Sequence, residues 1–136
     1  MSSDSGSLEQ NKKLAHRWLD EVWNKGRREV IRELFAKTGV YHRGANEYRG
    51  PEGFAHLYDI LRADFSGFSI KSIVTVAEGE LVCVHWSVDC LYNATRTPVN
   101  FTGTSIWRFK DGQIVEAWQN FDAAAIRAQV PGLLIP

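Results

Sequence analysis

The chain has 136 residues, 44% hydrophobic and 24% charged, and its sixteen Lys and Arg balance sixteen Asp and Glu. That length fits one domain whose core needs no staple, and a net charge of zero argues against recruitment by nucleic acid or an anionic membrane. Five Trp, seven Phe and four Tyr suit an apolar core, a shape-selective cavity or a dimer interface.

Residues 1–6 are polar and small, which predicts a disordered start with no signal-peptide character, so residues 7–136 are expected to form a single domain. Ser7 followed three residues later by Gln10 makes a capping-box signature. Leu14, Ala15, Trp18, Leu19, Val22 and Trp23 then recur at helical spacing, and Gly26 supplies the C-terminal glycine. Val30, Ile31, Leu34 and Phe35 mark a second, shorter helix, and residues 40–43 a short extended piece. A loop over residues 44–50, in which Asn46 and Tyr48 could line a pocket mouth, leads to Pro51 at a helix's first turn. Phe54, Leu57, Tyr58, Leu61 and Phe65 form the stripe of that third helix, closed by Ser66-Gly67.

From there the period changes to two. Phe68, Ile70, Val74 and Val76 alternate with more polar residues, and Glu78-Gly79-Glu80 reads as a tight hairpin. In the strand over residues 81–92 the even face (Val82, Val84, Trp86, Val88, Cys90) is the greasier one and should face the core. Its odd face carries His85, which is then expected on the outer sheet surface. After a turn over residues 93–98, a strand carries Phe101, Gly103, Ser105, Trp107 and Phe109 on one face. Asp111-Gly112 is the strongest hairpin signal in the chain. A last strand runs over residues 113–121 and a short helix over residues 123–129. Helices first and a meander of long strands last predict an α+β domain. A strongly curved antiparallel sheet wrapped around the helices would enclose a cavity.

Cys83 and Cys90 fall on opposite faces of one strand and cannot pair there. With no disulfide framework, a cytoplasmic location is expected. No apolar run reaches the roughly 20 residues a membrane span needs. The four histidines lack metal-ligand spacing, and no phosphate-binding glycine motif occurs, so neither metal nor cofactor is expected.

Asp122 stands out because it sits where an aromatic-rich strand hands over to a short helix. Among Trp118, Phe121 and other aromatics its charged form would be disfavoured, which suits a general acid or base. The other reading is a plain helix N-cap, where the charged form is favoured. Trp18, Phe54, Tyr58, Trp86, Phe101, Trp107 and Trp118 are core positions that in a hollow domain would also be ligand walls. Tyr58 and Trp107 could each aim one polar hydrogen inward.

Three segments carry a family resemblance: Trp23-Asn24-Lys25-Gly26 closing the first helix, Gly50-Pro51-Glu52-Gly53-Phe54 opening the third, and the run from Arg108 to Trp118 followed by Phe121-Asp122 and Gln129. In this order and spacing the chain resembles the SnoaL-like polyketide cyclases of the NTF2-like superfamily over most of residues 8–130. The resemblance implies a cone-shaped α+β barrel with a deep pocket, assembled as a homodimer or homotetramer through the sheet. It implies intramolecular aldol closure of a small hydrophobic carbonyl compound without cofactor. Asp122 occupies the acid/base position and His42, which shares its face with Val40, the position of a polar pocket partner. Ser105 stands where the cyclase pattern has a histidine, and joins the expected ligand contacts. Two alternatives stay open: a non-catalytic binding or scaffold member, and an isomerase or dehydratase on the same fold. The Arg-x-Asp pair of related epoxide hydrolases occurs here only as Arg62-Ala63-Asp64, on a helix.

Overall fold

The structure, a computed structural model, describes residues 4–136. Helix α1 spans Asp4–Arg17. It already includes residues 4–6 of the stretch expected to be disordered, and Ser7 lies inside it rather than capping it; residues 1–3 are outside the described residues. The helix then widens into a π-helical segment, Trp18–Asn24, in which the Lys25 amide donates to the Asp20 carbonyl at 2.8 Å. Trp18, Leu19 and Val22 of this segment are buried. Its end is satisfied from afar, because the Arg62 guanidinium donates to the Trp23 carbonyl at 2.9 Å. Gly26 follows in the left-handed region, at φ +66°, as a helix-terminating glycine does.

After α2 (Glu29–Leu34), strand β1 (Phe35–Arg43) starts at Phe35, which was expected to belong to the second helix, and is longer than the extended piece expected over residues 40–43. Residues 46–49, expected as loop, form the edge strand β2 (Asn46–Arg49), which pairs antiparallel with β1 and sets Tyr48 against Tyr41. Helix α3 (Gly50–Asp64) carries Pro51 in its first turn and buries Phe54, Leu57, Tyr58 and Leu61. Four strands complete the sheet: β3 (Phe65–Glu78), β4 (Leu81–Tyr92), β5 (Thr97–Lys110) and β6 (Gln113–Phe121). Asp111 and Gly112, at φ 53° and 77°, make the two-residue turn that strand twist favours. β5 starts at Thr97, inside the expected turn, with Pro98 confined to its first residues.

The sheet order is β2-β1-β6-β5-β4-β3. All neighbours are antiparallel except β1 and β6, which run parallel, so the sheet is mixed rather than wholly antiparallel. In β4 the even-numbered face is buried as its alternation predicts. His85 lies on the outer face, its Nδ1 at 3.1 Å from Thr104 Oγ1. Both cysteines are free. In β3 a bulge between Ser72 and Val74 breaks the simple alternation. Phe68 and Ile70 face the core, while Ile73, Val74 and Val76 are more than half exposed.

The main core lies between the helices and the concave sheet face. A smaller cluster of Phe65, Cys90, Val99, Ile126 and Val130 forms where α4 (Ala123–Gln129) and the following residues fold over the sheet. The Gln129 amide fastens α4 by accepting from the Asn100 amide at 2.9 Å and donating to the Asn100 carbonyl at 2.7 Å. Among the described residues, no helix is long and apolar enough to cross a membrane.

Candidate functional site

A cavity of about 70 Å³ opens between the π-helical segment and the concave face of the sheet. Trp18 and Trp23 reach it from the helix, Trp86 from β4, Phe101 and Trp107 from β5, and Ile126 and Ile135 from the C-terminal region. Aromatic side chains dominate because the inward positions of three long strands converge here.

Its polar groups lie in a row. In the sheet register Arg43 of β1 is opposite Gln119 of β6, and Gln119 is opposite Ser105 of β5. Strand alternation points all three to the same face, and all three line the cavity. Arg43 is 6% exposed and Ser105 7%. Arg43 donates through Nη1 to Gln119 Oε1 at 3.3 Å and through Nε to the main-chain oxygen of Pro136 at 2.8 Å. Its guanidinium lies 4.3 Å from the centre of the Phe121 ring, a cation–π contact. Trp86 Nε1 donates to Ser105 Oγ at 3.0 Å. Gly103, next to Ser105 on the same face, has no side chain and lets the Trp86 indole lie directly over the strand. Burial pushes the Tyr41 phenol up to about 12, with neighbouring Arg43 working against that rise. It therefore stays protonated.

The residues expected at the site divide into three groups. Trp18, Trp86, Phe101, Ser105 and Trp107 line the cavity. Phe54 and Tyr58 lie in the core instead: Phe54 is fully buried, and the Tyr58 hydroxyl donates to the Val22 carbonyl at 2.7 Å. That bond satisfies a carbonyl of the π-helical segment, where the widened hydrogen-bond pattern leaves partners to find elsewhere.

The third group faces away. His42 projects to the outer sheet face, where Nε2 donates to Glu116 Oε2 at 2.7 Å and the ring stacks on Trp118 at 5.5 Å. Trp118 is therefore outside as well. Asp122 is exposed and caps α4, its Oδ1 accepting from the Ala125 amide at 3.0 Å. Neither Asp122 nor His42 lines the cavity, and among the described residues no Asp or Glu does.

Arg43 and Gln119 are polar cavity residues that sequence reasoning missed, along with apolar ones such as Trp23 and Ile135. For residues 40–43 either strand face offers one apolar and one polar residue, Val40 with His42 or Tyr41 with Arg43, so four residues do not settle which face is inside. Strict alternation from Ile114 would turn Gln119 outward; Ile114 and Ala117 are both buried because the register with β5 shifts between Arg108 and Phe109, and that shift turns Gln119 inward with Ala117. Among the described residues, no three His, Cys, Asp or Glu side chains gather to hold a metal ion.

The comparisons with known proteins agree with this geometry. A protein from Jannaschia sp. CCS1, grouped by name with the SnoaL-like polyketide cyclases, superposes with a TM-score of 0.87 at 19% identity, covering 98% of this chain and 100% of that one. IdmH from Streptomyces antibioticus, also grouped by name with polyketide cyclases, gives a TM-score of 0.77 at 26% identity over 89% of this chain and 98% of its own. An LEH-like epoxide hydrolase from M. tuberculosis gives 0.76 at 17% identity over 92% of each chain. One fold thus carries proteins named for different reactions, so fold alone does not choose among them. No curated protein matches the chain. The family described as SnoaL-like domain matches residues 15–117, and with the six-stranded α+β architecture around an aromatic cavity this establishes that the chain belongs to the SnoaL-like family of the NTF2-like fold.

Proposed function

We propose that the cavity receives a small, predominantly apolar carbonyl compound of the polyketide kind, and that the protein promotes ring closure or isomerisation by polarising one of its oxygens. The observation that carries this reading is Arg43, buried at 6% exposure in an aromatic cavity beside Ser105 and Gln119. Aldol closure passes through an enolate. A fixed guanidinium in a water-poor cavity stabilises developing negative charge on oxygen far more than bulk water does. The proton acceptor is then solvent or the compound's own acidic groups, because among the described residues no Asp or Glu side chain lines the cavity. Without a positioned base, the expected acceleration lacks the roughly 10²–10⁴-fold that general acid–base catalysis contributes.

A second reading, binding without turnover, is favoured by the capping bond of Asp122 to Ala125. The two separate in one experiment. A linear poly-β-carbonyl compound is incubated with wild-type protein, Arg43→Gln and Asp122→Asn, and products are followed by liquid chromatography and mass spectrometry. Ring closure shows as a retention shift at unchanged mass, or as loss of water. Turnover lost in Arg43→Gln and kept in Asp122→Asn supports polarisation by Arg43. Turnover lost in a folded Asp122→Asn returns the proton-carrier role to Asp122. Binding with no product in the wild-type protein favours the second reading.

A further inference from the structure

Two buried donors near the cavity have their acceptors. Trp86 Nε1 donates to Ser105 Oγ at 3.0 Å, and the Tyr58 hydroxyl donates to the Val22 carbonyl at 2.7 Å. Tyr41 and Trp107 differ. Tyr41 is 5% exposed and Trp107 2%, and both line the cavity. Among the described residues, neither the Tyr41 hydroxyl nor Trp107 Nε1 donates a hydrogen bond. A buried phenol or indole hydrogen ordinarily finds an acceptor, and leaving it without one is costly. The Arg43 guanidinium beside Tyr41 does not meet this need, because it donates and cannot accept. The phenol also keeps its hydrogen, since burial holds it protonated.

The sheet puts these two donors in one row. Tyr41 of β1 is opposite Ala117 of β6, and Ala117 is opposite Trp107 of β5. All three are buried in the core on the concave face, one row along from Arg43, Gln119 and Ser105. The middle position carries only a methyl group, so Ala117 leaves space between the phenol and the indole that a larger side chain would fill. The surroundings are apolar: the Tyr41 ring meets Phe54 edge-on at 4.9 Å. Neutral donors in such walls suit a neutral acceptor, which enters without the desolvation cost of an ion. A carbonyl oxygen has two lone pairs and can take both hydrogens. We propose that the Tyr41 hydroxyl and Trp107 Nε1 form a binding point for a ketone or aldehyde oxygen of the ligand, an inference that rests on the ligand-binding reading above. It adds a second, uncharged pair of donors to the row that contains Arg43.

The test compares acetophenone with α-methylstyrene, a hydrocarbon of the same shape in which a methylene group replaces the oxygen. Both are titrated into the full chain by isothermal calorimetry. The readout is the ratio of ketone to hydrocarbon affinity, because apolar packing and any void left by a substitution act on both compounds alike. Tyr41→Phe and Trp107→Phe are each expected to lower that ratio roughly two- to twelvefold, the worth of one neutral hydrogen bond. A ratio unchanged in either folded variant overturns the binding point and leaves the ligand-binding reading intact. If neither compound binds the wild-type protein, both fall. Should the variants fail to fold, the carbonyl stretch of isotope-labelled acetophenone bound to the wild-type protein decides by infrared difference spectroscopy. A frequency below that in hexane supports the donors, and one equal to it overturns them.

Discussion

Gly103→Ala should damage both stability and the cavity wall. A Cβ built at Gly103 would lie 2.5 Å from Trp86 Cη2, closer still to Cζ2, and 2.8 Å from the Asn120 carbonyl oxygen, where carbon atoms pack at about 3.5–4.0 Å. The indole must move, and with it the donor that holds Ser105 Oγ at 3.0 Å. Overpacking of a filled core costs about 1–3 kcal/mol, and loss of the Trp86–Ser105 hydrogen bond adds about 1 kcal/mol. The total, about 2–4 kcal/mol, corresponds to a fall in Tm of roughly 8–16 °C for a chain of this size. Urea denaturation followed by far-UV circular dichroism measures it. A double-mutant cycle with Trp86→Phe tests the cause, since phenylalanine lacks the outer indole atoms that the new methyl meets. In that background the added methyl opposes chiefly the Asn120 carbonyl, so its penalty should shrink by at least about 1 kcal/mol. Penalties that add within about 0.5 kcal/mol would refute the steric argument, as would a Gly103→Ala protein with an unchanged midpoint.

Other substitutions probe the elements around the cavity. Asp122→Ala removes the α4 cap and should cost about 1 kcal/mol, whereas Asp122→Asn keeps an accepting oxygen and should be nearly neutral; equal losses in thermal melts would contradict the capping role. Tyr58→Phe strands the Val22 carbonyl in the π-helical segment and should cost about 1–3 kcal/mol, the desolvation cost of an unsatisfied buried acceptor; an unchanged urea midpoint would mean another donor takes over. Burial pushes the Cys90 thiol up to about 11 from 9.0. Below pH 9 the thiol is protonated folded and unfolded, and stability is unaffected; above it only the unfolded chain ionises readily. Stability should therefore fall between about pH 9 and 11, by at most about 1.4 kcal/mol per pH unit from this group. Cys90→Ala should flatten that part of a denaturation-midpoint profile, and an identical profile in the variant would discount the thiol.

How far the site is legible depends on how many alternations each strand supplies. β5 runs for fourteen residues, and its apolar positions from Phe101 to Phe109 suffice to place Ser105 on their face. β1 is harder to read, because the short run from Val40 to Arg43 has an apolar and a polar residue on each face. The resemblance points His42 inward, and the structure turns Tyr41 and Arg43 inward instead. A shift of one residue moves every side chain to the other face. β3 departs from its simple alternation for a related reason, since a bulge before Val74 changes phase partway along. Asp122 lies at the other extreme: its partner is the amide only three residues on, so the capping reading needs nothing beyond local sequence.

The sequence by itself determined the order of helices and strands apart from β2, the Asp111-Gly112 turn and the buried face of β4, and it offered the helix cap as one of two readings of Asp122. These follow from side-chain period and backbone preference, which act within a few residues. Only the tertiary structure decided that Arg43, Gln119 and Ser105 stand side by side. Their row depends on β6 entering the sheet between β1 and β5, parallel to one and antiparallel to the other. The β5–β6 half of that row joins residues 14 positions apart across a hairpin, whose turn fixes the register; the β1–β6 half joins residues 76 positions apart, is set by packing of the whole sheet on its helices, and no local pattern encodes it.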